Sequence, residues 1–147
     1  VPRRDIAREG KVLYAGHNPP MFDVFKAFFS SARMLDVPLA QYGNMNPETS
    51  PDEFLRGFDG AIIDAAYRDA QELVSLCKKR NLEYVVVLNS YVSYTLSTIR
   101  RLEPKRLVII FDNSPSHLYA AAEIISGLRQ SKGRLPYDLR FPDNYTY

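Results

Sequence analysis

Three short stretches of the chain, GAIID (60–64), LEYVVVLN (82–89) and RLVIIFD (106–112), carry Val, Ile and Leu on consecutive positions. A strand with one wet face alternates apolar and polar side chains. A continuous run is what a strand needs when both of its faces are covered. Between the runs the period changes. Residues 69–80 place Leu73, Leu76 and Cys77 on one helical face, and Val92, Leu96, Ile99 and Leu102 mark a helix closed by Pro104. Leu118, Ala121, Ala122, Ile125 and Leu128 mark another. Strands covered on both faces and alternating with helices restrict the chain to an α/β fold with a parallel sheet.

The first half follows the same rhythm less cleanly. KVLYAG (11–16) is a buried strand closed by Gly16. Met21, Val24, Phe25, Phe28, Phe29, Ala32 and Leu35 then recur at helical spacing, with Pro19 and Pro20 at the start, where proline is tolerated. PLAQY (38–42) predicts a short second strand. Ser50-Pro51-Asp52-Glu53 is a capping box that opens a short helix carrying Phe54, Leu55 and Phe58. The pattern gives five strands alternating with five helices. We expect a flavodoxin-like three-layer sandwich whose parallel sheet has the order 2-1-3-4-5. Residues 1–10 read as a polar lead-in, 11–130 as the domain, and 131–147, with two prolines and no periodicity, as a linker or C-terminal arm.

Composition narrows the class. At 147 residues, with 46% hydrophobic and 24% charged, the chain suits one domain with its own core. A net charge of +2 is too weak to argue for nucleic acid or an anionic membrane. No apolar run approaches the roughly 20 residues of a membrane span. Cys77 is the single cysteine, so an internal disulfide and a cysteine-based zinc site are excluded, and its helical position predicts a core residue. A reducing, cytoplasmic setting fits. GHNPP, the first strand-to-helix turn, has no glycine-rich phosphate loop, and its two prolines remove backbone donors where a dinucleotide would sit.

In an open parallel sheet, chemistry gathers at the carboxyl ends of the strands. Here those ends offer Gly16, His17 and Asn18; Asp64; Asn89 and Ser90; and Asp112, Asn113 and Ser114. In this order and spacing the chain resembles a response-regulator receiver domain over residues 11–130. The resemblance places Gly16 and His17 where receivers carry two acids, followed by a fitting Asn18-Pro19. Asp64 stands at the phosphoacceptor position, Asn89 and Ser90 at the Thr/Ser position, and Phe111 at the aromatic of strand 5. Ser114 stands in the lysine position, before a matching Pro115.

The departures have a physical meaning. Phosphorylating an aspartate calls for a divalent cation on oxygen ligands, and histidine is a poor magnesium ligand. With both acids and the lysine gone, the resemblance implies a pseudo-receiver. Such a domain has no catalytic residue, no metal and no cofactor. It regulates an attached output domain or a protein partner, a homodimer included, and meets nucleic acid only through an attached domain. Tyr91, Tyr94 and Arg101 on the fourth predicted helix, Phe111 on strand 5 and Tyr119 on the last helix form the expected contact face. Ser90 and Ser114 lack an evident base, which argues against nucleophilic catalysis. Two other readings remain open. One is the N-terminal half of a two-domain glycosyltransferase. The other is a small-ligand sensor lined by His17, Asn18, Asp64, Asn89 and Asn113.

Overall fold

The computed structural model describes residues 5–39, 55–89, 95–110, 112–129 and 145–146. Strands β1 (Val12–Ala15), β2 (Arg33–Leu35), β3 (Gly60–Asp64), β4 (Glu83–Asn89) and β5 (Leu107–Ile110) form a parallel sheet in the order β2-β1-β3-β4-β5. Helices α1 (Pro19–Phe28), α2 (Ala70–Arg80), α3 (Thr95–Leu102) and α4 (Pro115–Ile125) connect and cover it. This is the flavodoxin-like α/β architecture that the strand pattern predicts.

Why the strands are apolar throughout is visible in the two cores. Val12 and Tyr14, Ile62, Val85 and Val87, and Val108 and Ile110 face α1 and α4. The alternate residues, Leu13 and Ala15, Ala61 and Ile63, Val86 and Leu88, and Leu107 and Ile109, face the other way, toward α2 and Leu102 of α3. Each strand thus has two buried faces, and a one-residue slip would exchange the cores. Cys77 lies fully buried among the second set, where loss of solvation pushes its thiol up to about 12.

Two elements differ from the expected ones. The helical spacing that runs from Met21 to Leu35 predicts a helix through residue 35. Instead α1 stops at Phe28, Phe29 is already extended, and β2 occupies Arg33–Leu35. Ser30 and Ser31 supply hydroxyls that compete with helical backbone bonds. Beyond them, the same spacing is met by Ala32 and Leu35 on opposite sides of the sheet. The second strand therefore precedes the expected 38–42. Leu39 is buried and donates its N–H to the Asp69 carboxylate at 2.8 Å, and residues 40–42 lie outside the described part. The expected short helix is represented by one 3₁₀ turn, Leu55–Gly57, its capping box also lying outside.

Described residues near both ends engage the domain. Ile6 is buried and its N–H donates to the Ile125 carbonyl at 3.1 Å. Asp5 pairs with Arg106 at 3.3 Å, and the Arg8 guanidinium lies 4.1 Å from the Phe28 ring centre. Residues 5–8 of the predicted lead-in are thus part of the packed structure. Within the predicted arm, Tyr145–Thr146 form a short strand, β6, which extends the sheet beyond β5. No described helix is long and apolar enough to cross a membrane.

Candidate functional site

The carboxyl edge of the sheet is organised by short local motifs. Asn18 caps α1: its Oδ1 accepts the Met21 N–H at 3.3 Å, while Pro19 and Pro20 fill the first helical positions. Its Nδ2 donates to Asn113 Oδ1 at 3.1 Å, and Asn89 Nδ2 donates to the same oxygen. One acceptor therefore ties the ends of β1, β4 and β5 together. Three of the crevice residues expected from the sequence, Asn18, Asn89 and Asn113, do converge. Their side-chain amides are spent largely on one another. Ser90, Tyr91, Tyr94 and Phe111 lie outside the described residues.

Asp64 closes β3 and is buried. Its Oδ1 accepts the Ala66 N–H at 2.9 Å, and its Oδ2 accepts the Tyr14 hydroxyl at 3.4 Å. Tyr14 was not among the residues singled out from the sequence. Its signal was there all the same: a tyrosine in the middle of a buried strand needs a partner for its hydroxyl. That hydroxyl also lies 3.5 Å from Met21 Sδ. The arrangement depends on the next residue but one. A Cβ on Gly16 would stand 2.6 Å from the Tyr14 hydroxyl oxygen and 2.8 Å from Asp64 Cβ. The space in which an acidic side chain at position 16 would begin is thus filled by Tyr14.

His17 is exposed, and its ring centre lies 6.3 Å from that of Tyr67. Tyr67 donates its hydroxyl to the Val37 carbonyl at 2.6 Å, which pins the turn after β3 to the segment after β2. Arg101 of α3 donates to the carbonyl of Ala65, next to Asp64, at 3.3 Å. Tyr119 projects from α4 and is 43% exposed, which makes it one of two large apolar side chains in the open among the described residues.

Burial pushes the Asp64 carboxyl above its ordinary range, against the opposing pull of the Ala66 N–H, the Tyr14 hydroxyl and His17. Desolvation and the neighbouring Asp64 raise Tyr14 as well. The fold therefore favours neutral Asp64. Its contribution to stability is fully present below the ordinary value of 3.8 and is lost as pH rises through the raised folded value. Asp64→Asn keeps the oxygen that accepts from Ala66 and removes the charge. We expect it to melt at a higher temperature than the parent at neutral pH, with the gain shrinking in acid. Calorimetry across that range checks this; a gain of equal size at every pH would contradict it.

The turn after β5 corrects one expectation. Ser114 does face a base: its hydroxyl is hydrogen-bonded to His117 Nδ1 in the first turn of α4. Asp112 Oδ1 lies 3.0 Å from that same nitrogen and also accepts the Ser114 N–H at 2.7 Å. A relay for nucleophilic attack needs the hydroxyl and the carboxylate on opposite ring nitrogens. Here both use Nδ1, and the His117 and Asp112 side chains are more than half exposed. The cluster closes a helix turn. Its bonds to Ser114 hold the Asp112 carboxyl below its ordinary range. Among the described residues, no three His, Cys, Asp or Glu side chains gather as a metal-ligand set.

No protein-family model matches the chain, and no curated protein does. A solved structure does share the fold. It is that of a protein from Burkholderia pseudomallei described provisionally as pilus assembly-related. The two superimpose with a TM-score of 0.53 at 16% identity, over 90% of this chain and all of the other. At that identity the likeness concerns the fold alone.

Proposed function

We propose that this chain is a receiver-like regulatory domain that has given up phosphoryl transfer and acts through protein contacts. The observation that carries the reading is the Tyr14 hydroxyl set against Asp64 in the space beside Gly16. A receiver needs that space for a carboxylate that helps hold magnesium over the aspartate. With it filled, Asp64 keeps its position at the end of β3, and among the described residues no set of metal ligands gathers beside it. The domain is non-catalytic in this reading.

The contact face we propose runs over α3, β5 and α4, with Arg101 and Tyr119 as its described members. Support comes from the Arg101 bond to Ala65, which links the Asp64 turn to that face. Tyrosine and arginine are also the residue types that dominate contact energies. The partner is an attached output domain or a separate protein of the same system. The name of the Burkholderia neighbour is compatible with a fold used in an assembly machine. A cytoplasmic setting goes with this reading.

The test is direct. The protein is incubated with a small phosphodonor, and separately with beryllofluoride, with and without magnesium, and followed by mass spectrometry and by amide NMR. We expect no added mass and no magnesium-dependent shift around Asp64. A stoichiometric, magnesium-dependent adduct on Asp64 would overturn the proposal.

A further inference from the structure

The end of β3 opposite Asp64 holds a second constellation. Two helices finish there, and each gives carbonyls of its last turn to an arginine, the charge that a helix C-terminus favours. Arg8 Nε donates to the Phe28 carbonyl of α1 at 3.2 Å, and Arg106 donates to the Ile124 and Ile125 carbonyls of α4. Residues 5–8 run between these two helix ends as a strap. Asp5 pairs with Arg106, the buried Ile6 donates its N–H to the Ile125 carbonyl, and the Arg8 guanidinium lies over the Phe28 ring. Two glycines make the seat. A Cβ on Gly60, the first residue of β3, would come within 3.0 Å of Ile6 Cγ2, and one on Gly127 within 2.8 Å of Asp5 Cγ.

Gly127 is also where the chain leaves α4. Its φ of 83° is left-handed, a common way to end a helix. Its N–H bonds to the Ile124 carbonyl at 3.2 Å, and the N–H groups of Leu128 and Arg129 return to the Glu123 carbonyl at 2.9 and 3.3 Å. Strap and exit turn therefore share acceptors. The Ile124 carbonyl takes Gly127 and Arg106, and the Ile125 carbonyl takes Ile6 and Arg106. We infer that residues 5–8 are a switchable strap that sets the path of the chain out of α4. Docked, the strap holds Gly127 beneath Asp5 and the exit turn closed. Undocked, it releases residues 126–129 while the sheet stays folded. The two states are accessible because Ile6 is the only strap side chain in the core. Undocking exposes that one side chain and breaks a few bonds, whereas opening the sheet exposes both cores, so the strap belongs to the low-cost openings of the fold. A partner that takes hold of residues 5–8 thereby redirects the chain beyond Arg129. This inference rests on the strap and the helix ends and stands apart from the reading of Asp64.

Amide hydrogen exchange on the full chain reads the two states. Ile6→Asp puts a charge into the core and drives the strap out. We expect the amide of residue 6 and those of residues 126–129 to lose their protection together, while the Val85, Val86 and Val87 amides of β4 stay protected. Gly127→Ala probes the reverse direction, because coupling is reciprocal. We expect it to speed exchange of the Ile6 amide by about tenfold or more, since the added carbon is strained at that φ and collides with Asp5. If Ile6→Asp does not fold, the parent in rising denaturant decides: Ile6 and residues 126–129 should open with one shared slope, shallower than that of β4. Exit amides that keep the parent's rates after residue 6 has lost its bond overturn the inference. So does an Ile6 amide that Gly127→Ala leaves unchanged, or one that opens in the parent only together with β4.

Discussion

Replacing Arg106 by Leu is expected to lower the melting temperature by about 8 °C, from a loss of roughly 2–3 kcal/mol in a chain of this size. Arg106 is only 4% exposed. Its guanidinium donates to the Ile125 carbonyl at 2.9 Å and to the Ile124 carbonyl at 2.6 Å, the last turn of α4, and it pairs with Asp5 at 3.3 Å. A positive charge at a helix C-terminus suits both the last carbonyls and the helix dipole. Leu fills part of the volume but removes both guanidinium bonds; the carbonyls keep their backbone donors, Ile6 and Gly127 N–H, so most of the loss is that of two charge-assisted hydrogen bonds. The companion change is Asp5→Asn, which leaves the carbonyl bonds in place. We expect less than half the effect, because the Asp5 side chain is 38% exposed and solvent offsets the lost pairing. Thermal melts of the two variants separate the contributions; equal losses would mean that the ion pair, and not the helix cap, is the main bond.

Gly16→Ala is expected to destabilise the domain by about 1–3 kcal/mol, as overpacking of a tight core does. The added carbon would lie 2.6 Å from the Tyr14 oxygen and 2.8 Å from Asp64 Cβ, and neither can move far. Tyr14 is fully buried against Phe22 and Phe25, and Asp64 is fixed at the end of β3. Tyr14→Phe alone should cost about 1 kcal/mol for the lost bond to Asp64. Made together, the two changes should cost less than their sum, since the phenylalanine removes the nearest clashing atom. Denaturant unfolding of the four proteins closes this cycle. Strict additivity would show that the Tyr14 hydroxyl does not fill the space beside Gly16. The same crowding bears on any attempt to rebuild a receiver site here: an aspartate at position 16 has to be accompanied by removal of Tyr14.

The strands were legible because a doubly covered strand leaves a signal that no other element mimics at that length. GAIID, EYVVVLN and LVII are the clearest runs, and they became β3, β4 and β5. The helix start at Pro19-Pro20 was equally plain, since proline chemistry acts within a turn; the capping role of Asn18 emerges only in the structure. What escaped detection depends on contacts distant in sequence or on ambiguous periods. Phe29, Ala32 and Leu35 satisfy a helical spacing and a strand equally well, and two serines decide between them. At the site, the meeting of Asn18, Asn89 and Asn113 follows from strand order. The role of Tyr14 does not, because a tyrosine in a strand reads as core until its hydroxyl is seen to reach Asp64. The His117 contact to Ser114 was available in principle, three residues apart at a helix start. β6 is too short to carry any period.

The contact between Ile6 and Ile125 sets an order of events for a chain made from its N-terminus. Ile6 is the first apolar side chain among the described residues, and its backbone partner is the last residue of α4. Until that helix has left the ribosome, the face of β1 that carries Val12 and Tyr14 has only α1 to cover it. The early strands must then wait, with apolar surface in water, for the end of the domain to arrive. Closure is therefore a late and collective step, and a nascent chain stalled before α4 is the form of this protein most in need of a chaperone.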